Sequence, residues 1–336
     1  MTQMNNAETD QSQPIGLDIG TSRIVAARSN RKKYTYEAQL NAFITLPYSK
    51  LTENLLLQEN VFYEVQGDEF VVAGNDAQKF AQIFHVETRR PMLKGVLNPD
   101  EPHSLAVVRR IITKLIGRAK TEGQKICFSV PAPASDGDRS IAYHEASSRQ
   151  ILTELGYEAK SINEGLAVVF GELESTNYTG IGVSCGSGLC NVCMAVLSLP
   201  VISFSMSKAG DFIDAHAALA TGERATRLRV QKENAFELNG MTSDRIQNAL
   251  TVYYDDMISD LAESLRENFS SNGRLPKLDQ RIPLVLSGGT AMPHGFLERF
   301  EKALRTRELP FQLSDIRLSS DPLYSTARGA TMAALC

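Results

Sequence analysis

A chain of 336 residues with 43% hydrophobic content is long enough for two cores, which excludes fibrous and disordered classes. Thirty-five basic residues stand against 39 acidic ones, a net charge of -4, and no basic block exceeds Arg31-Lys32-Lys33, so the electrostatic footprint of a nucleic-acid binder is absent. No apolar run approaches the roughly 18 residues of a membrane span, the first residues carry no signal pattern, and the odd number of cysteines reads as reduced thiols of a cytoplasmic protein.

Residues 1–14 are polar and read as a disordered tail without an apolar face. "PIGLDIG", a Gly20-Thr21-Ser22 turn and "RIVAARS" then predict a β-hairpin with Asp18 near the end of its first strand. A further hairpin around Gly67-Asp68 and the helical period of "DAQKFAQIF" suggest a small subdomain inserted at about 36–75. Leu55 to Leu57 read as the core of that subdomain rather than as a membrane anchor. Leu105, Val108, Ile111, Ile112, Leu115 and Ile116 share one helical stripe, with Ser104 as N-cap. The strand "KICFSVP" follows, then a helix capped by Ser135 and ended by Gly156, a strand at "EAKSIN" and a helix at "EGLAVVFGEL".

At Thr179 the pattern restarts. "TGIGVSCGSGLCNVCMAVLS" repeats the strand, turn, strand order of the first hairpin with Asp18 and Ser184 in register, which predicts two similar α/β domains, 15–178 and 179–336, with their turns facing one cleft. The second carries an insertion at about 216–275, including a long helix that opens on Asp244 and Gln247 at capping-box spacing. The strand "IPLVLSGG" and the helix "GFLERFEKALR" complete it.

Three chemistries compete for Gly180 to Val196. Cys185, Cys190 and Cys193 have the spacing of an iron–sulfur ligand set, but Cys190 and Cys193 differ by an odd number within a strand and point to opposite faces. Gly182 to Gly186 fits a nucleophile elbow around Ser184, yet the helix that must follow is missing, which leaves a serine hydrolase as the remote alternative. The third reading pairs Gly186-Ser187-Gly188 with Gly20-Thr21-Ser22 as two turns presenting backbone N–H groups to one polyphosphate.

"IGLDIGTS", "VPAPASDGDRS", "INEGLAVVFGE", "KAGDFID", "LVLSGGTAMPHGF" and "TARGA" resemble, in that order, the nucleotide-site motifs of the superfamily of actins, heat-shock chaperones and sugar kinases. With "RRPMLKGVLNPDE" they look most like the bacterial actins of the MreB and MamK type, over nearly the whole chain. The resemblance implies an α/β protein of the actin-like ATPase fold, two duplicated RNase H-like domains that bind ATP or ADP with Mg²⁺ between them and assemble with further copies of the chain into filaments. Asp18 would then hold Mg²⁺ through water, and Asp138 would orient the attacking water. Gly288, Gly289, Thr290 and Met292 would form the adenosine pocket, with Asp214, Gln231 and Lys232 near the cleft or the nucleoside. Ser184 departs from the family pattern, which has a second aspartate there, so weak hydrolysis is expected; a non-polymerising adaptor that uses nucleotide only to fix its shape is the alternative.

Overall fold

The structure is a computed structural model that describes residues 13–30, 33–134, 141–271, 275–276 and 280–335. Ile15–Ile19 (β1) and Arg23–Asn30 (β2) form the first hairpin, with Asp18 opposite Val25, and Lys33–Leu40 (β3) extends it. A small layer follows: Phe43–Pro47 (β4), Lys50–Gln58 (α1), Tyr63–Gln66 (β5), Glu69–Ala73 (β6) and Asn75–Phe84 (α2), with its strands ordered β4-β6-β5. Its own core holds Leu56, Phe70 and Phe80, while Leu57 is exposed at the end of α1.

A short ribbon, Met92–Leu93 (β7) with Val96–Leu97 (β8), leads to Ser104–Ile116 (α3), Lys125–Val130 (β9), Ile141–Glu154 (α4), Glu158–Asn163 (β10) and Glu164–Glu172 (α5). The apolar stripe expected on α3 is buried, but the helix starts one residue early: His103 occupies the cap position without a side-chain bond, and Ser104 lies in the first turn. The expected cap Ser135 lies outside the described residues. Gly156 closes α4 at φ +92°, a conformation that glycine adopts without strain.

The second half is built from Gly180–Cys185 (β11), Cys190–Val196 (β12), Leu199–Met206 (β13), Gly210–Thr221 (α6), Ala225–Ala235 (α7), Arg245–Ser271 (α8), Ile282–Ser287 (β14), Phe296–Arg305 (α9), Leu313–Leu318 (β15) and Ser325–Leu335 (α10). Asp244 Oδ1 caps α8 by accepting from the N–H groups of Ile246 and Gln247. The Gln247 amide bonds Glu237 instead of returning to Asp244, so only half of the expected box forms.

Among the described residues, two five-stranded sheets run β10-β9-β1-β2-β3 and β15-β14-β11-β12-β13, the same order twice. In each, an antiparallel hairpin sits beside a parallel strand, and Asp18 opposite Val25 is matched by Ser184 opposite Asn191. The two halves exchange a helix. α5 leaves the first sheet and packs on β11 and β12, while α10 leaves the second and packs on β1, β2 and β9. Glycine permits both contacts: a Cβ on Gly16 would stand 2.1 Å from the Ala327 oxygen, and one on Gly182 2.3 Å from the Gly165 oxygen. The two exchanged helices, α5 and α10, also pack on each other and so tie the lobes together.

Candidate functional site

The ends of β1 and β11, the turns after them and the start of α5 converge on a cavity of about 460 Å³ between the lobes. Asp18, Gly20, Thr21, Ser22, Gly186, Ser187, Gly188, Asp214, Lys232, Gly288, Gly289, Thr290 and Met292 all line it. Gln231 does not. α7 reaches the cavity through Arg229 and its last residues, Lys232 to Ala235, and Gln231 is not among the lining residues. Asp138 lies outside the described residues.

Around Gly186 the wall is tightly tied. The Gly186 carbonyl accepts from the Gly210 N–H at 3.2 Å and from the Thr290 hydroxyl at 2.8 Å, and the Ser187 carbonyl accepts from the Asp211 N–H at 2.7 Å. These bonds fix the turn and leave the Ser187 hydroxyl, buried in the same turn, without a partner among the described residues. Behind it Asp214 and Lys232 form an ion pair at 2.6 Å, both side chains buried. Burial raises the Asp214 carboxyl above its ordinary range, and the Lys232 charge works against that rise. Gly288, at φ +92°, follows β14 so closely that a Cβ would lie 2.2 Å from the Cys185 oxygen; this brings the Gly289–Ala291 turn to the cavity wall.

The acids at the floor are the chemical centre. Asp18 Oδ1 accepts from the Ser129 hydroxyl at 2.7 Å, and Ser129 in turn accepts from the Ile19 N–H. Glu164, the first residue of α5, points its carboxylate at the other hairpin: Oε2 accepts from the Ser184 hydroxyl at 3.2 Å and from the Asn191 amide at 2.9 Å. The Asn191 carbonyl oxygen accepts from the Ala132 N–H, which settles the orientation of the amide. Burial raises Asp18 to about 6, against the Ser129 bond. Burial, and after it the Asp18 charge, raises Glu164 to about 8, against the bonds from Ser184 and Asn191. Burial, with the like charge of Asp18 on Glu164, thus favours the protonated form of both acids in the nucleotide-free cleft.

Neither Glu164 nor Asn191 was expected from the sequence as a site residue. Their signals were present: Glu164 is the one charge opening an otherwise apolar helix, "EGLAVVF", and Asn191 is the one amide in the apolar strand "CNVCMAV".

The rival chemistries fail on geometry. Cys185 and Cys190 pack in the core on one face of the sheet, and Cys193 meets Gly165 on the other, so the three thiols cannot share a cluster. Ser184 lies within a hairpin strand and bonds a carboxylate, and the histidines that a hydrolase would draw on bond elsewhere, His216 to the Phe212 carbonyl and His294 to the Asn239 side chain. No group of three or more His, Cys, Asp or Glu among the described residues could hold a metal ion by itself. A cation at Asp18 would therefore complete its shell with water and ligand oxygens, the habit of Mg²⁺.

Two matched lobes around a cleft define an actin-like fold, and solved structures agree. The chain is similar to a MamK double helical filament (19% identity, TM-score 0.73, covering 96% of this chain and 98% of that one). It is similar also to a non-polymerising MamK mutant bound to AMPPNP (19%, TM-score 0.60, 97% and 100%) and to MreB 5 of Spiroplasma citri bound to AMPPNP (14%, TM-score 0.68, 95% and 95%). A family model described as Volactin matches residues 14–334, and the chain belongs to the Volactin family. No curated protein matches it. Among the described residues, no helix is long and apolar enough to cross a membrane.

Proposed function

We propose that the chain binds ATP with Mg²⁺ in the cleft, hydrolyses it slowly and assembles with copies of itself into filaments. The buried Asp18–Glu164 pair at the junction of the two turns carries this reading, because phosphoryl transfer requires a carboxylate for the metal and a second group to order the water. The bound nucleotide and its cation would supply the scissile γ-phosphate and the charge that neutralises it. The cavity fits such a guest: the Ser187 hydroxyl lacks a partner among the described residues, and residues of both turns line the space.

Within that space each residue has a task. Asp18 holds the metal through water. Glu164, its carboxylate fixed by Ser184 and Asn191, accepts the proton of the attacking water in its ionised form, which a cation bound at Asp18 favours over the raised value of the nucleotide-free cleft. Thr290 and Met292 border the base, and Lys232 and Glu233 the ribose side.

The missing aspartate at Ser184 favoured a non-polymerising adaptor. Glu164 weakens that ground, because it returns a carboxylate to the same hairpin from a neighbouring helix. The AMPPNP and filament states of the structural neighbours support the nucleotide and assembly readings respectively. Sedimentation and phosphate release, each with ATP–Mg²⁺ and with ADP–Mg²⁺, test the proposal. Pelleting with ATP and slow release of phosphate are expected. A protein that stays in the supernatant at high concentration with ATP removes the filament reading, and absent phosphate release removes the ATPase.

A further inference from the structure

The lobes touch across the cleft at a place no nucleotide contact requires. Arg90, just before β7, directs Nη1 at both carboxylate oxygens of Asp211 in the first turn of α6, at 2.8 and 2.9 Å. Beside it the Gly95 N–H donates to the Thr21 hydroxyl at 3.0 Å, and Gly95 packs so close to Leu189 that a Cβ there would overlap it. The ribbon β7–β8 of the first lobe therefore rests against the turn of the second.

Asp211 is also the residue whose N–H bonds the Ser187 carbonyl at 2.7 Å. One residue thus joins the turn of Ser187, whose hydroxyl has no partner among the described residues, to an ion pair spanning the cleft. The pair is poised rather than locked. Arg229 lies close enough for Arg90 to oppose its charge, after burial the largest influence upon it, while Glu233, Asp214 and Asp211 favour it. Closure therefore brings two guanidiniums together and is held by these carboxylates. The two side chains are 19% and 32% exposed, so salt screens the pair only in part.

The geometry points to Arg90 and Asp211 as a latch: positioning residues that hold the lobes closed and couple closure to occupancy of the Ser187 turn. The inference rests on the nucleotide reading only for what fills the cleft. A double-mutant cycle with Arg90→Ala, Asp211→Ala and the pair together tests it, read by release of a fluorescent ATP analogue and by small-angle scattering of the nucleotide-free protein. Each single variant should speed release about five- to tenfold, and the double variant no further than either alone. Arg90→Lys, which keeps the charge, should fall between parent and Arg90→Ala. Both alanine variants should also expand the radius of gyration. Additive or unchanged release rates overturn the latch. If the parent binds no nucleotide analogue, the nucleotide reading falls by itself, and the scattering still decides: an unchanged radius in both variants overturns the latch.

Discussion

The two hairpins at the cleft share strand order, register and turn length, yet they obtain their carboxylates by different routes. In the first lobe the acid belongs to the strand, as Asp18, and a serine from the neighbouring strand β9 supports it. In the second the strand carries the serine, Ser184, and the acid arrives from α5, as Glu164. A duplicated backbone thus keeps the geometry of a site while its chemistry moves to whichever element can reach it. Because α5 crosses from one sheet to the other, its first residue reaches the second hairpin as easily as the hairpin's own side chains do.

The comparison can be broken in several ways. Glu164→Gln should have the largest effect: turnover falls about a hundredfold or more while nucleotide affinity changes little, as phosphate release and equilibrium binding would measure. Unchanged turnover would return the catalytic role to Asp138. Gly16→Val and Gly182→Val should each cost about 3 kcal/mol or more, because either Cβ drives into a helix carbonyl that cannot retreat. Denaturant melts should show similar losses for both; a large loss for only one would mean that the two exchanged helices do not support the lobes alike.

The acids also set a pH dependence. Asp18 and Glu164 have folded values raised above their unfolded ones, so the folded chain binds more protons, and nucleotide-free stability falls as pH rises through the folded values. His144 acts the other way. Burial lowers it to about 4, against the Glu145 charge, so its contribution is present above about 6.5 and is lost as pH falls. Between pH 6.5 and 8 the acids act alone. Stability there should drop by about 1–2 kcal/mol, and Glu164→Gln should flatten the profile. The smallest effect is expected for Ser184→Ala, which loses one bond to Glu164, about 1 kcal/mol by thermal melt.

Much of this could be read in the sequence, because it depends on local pattern. The alternating strands, the turns at Gly20 and Gly186 and the register of Asp18 with Ser184 follow from period and glycine placement, and they put both turns on the cavity wall. What was not legible depended on which segments meet in space. Glu164 is distant in sequence from Ser184, and only the exchange of α5 between sheets brings them together. Gln231 stayed off the cavity wall for a related reason: the motif located α7, but which of its residues meet the cleft, Arg229 and the end of the helix, depends on how α7 packs against α6. The half-formed box at Asp244 shows the same limit, since the amide of Gln247 found a carbonyl from an adjacent segment.

The central claim is a nucleotide site anchored by the strand acid of the first lobe. Calorimetric titration of ATP into the protein, with and without Mg²⁺, and into Asp18→Ala tests it most directly. The account predicts Mg²⁺-dependent binding by the parent and a loss of about a hundredfold in the variant, as expected when a buried charge partner is removed. Equal affinity of parent and variant for ATP–Mg²⁺, or no binding by the parent, would contradict it.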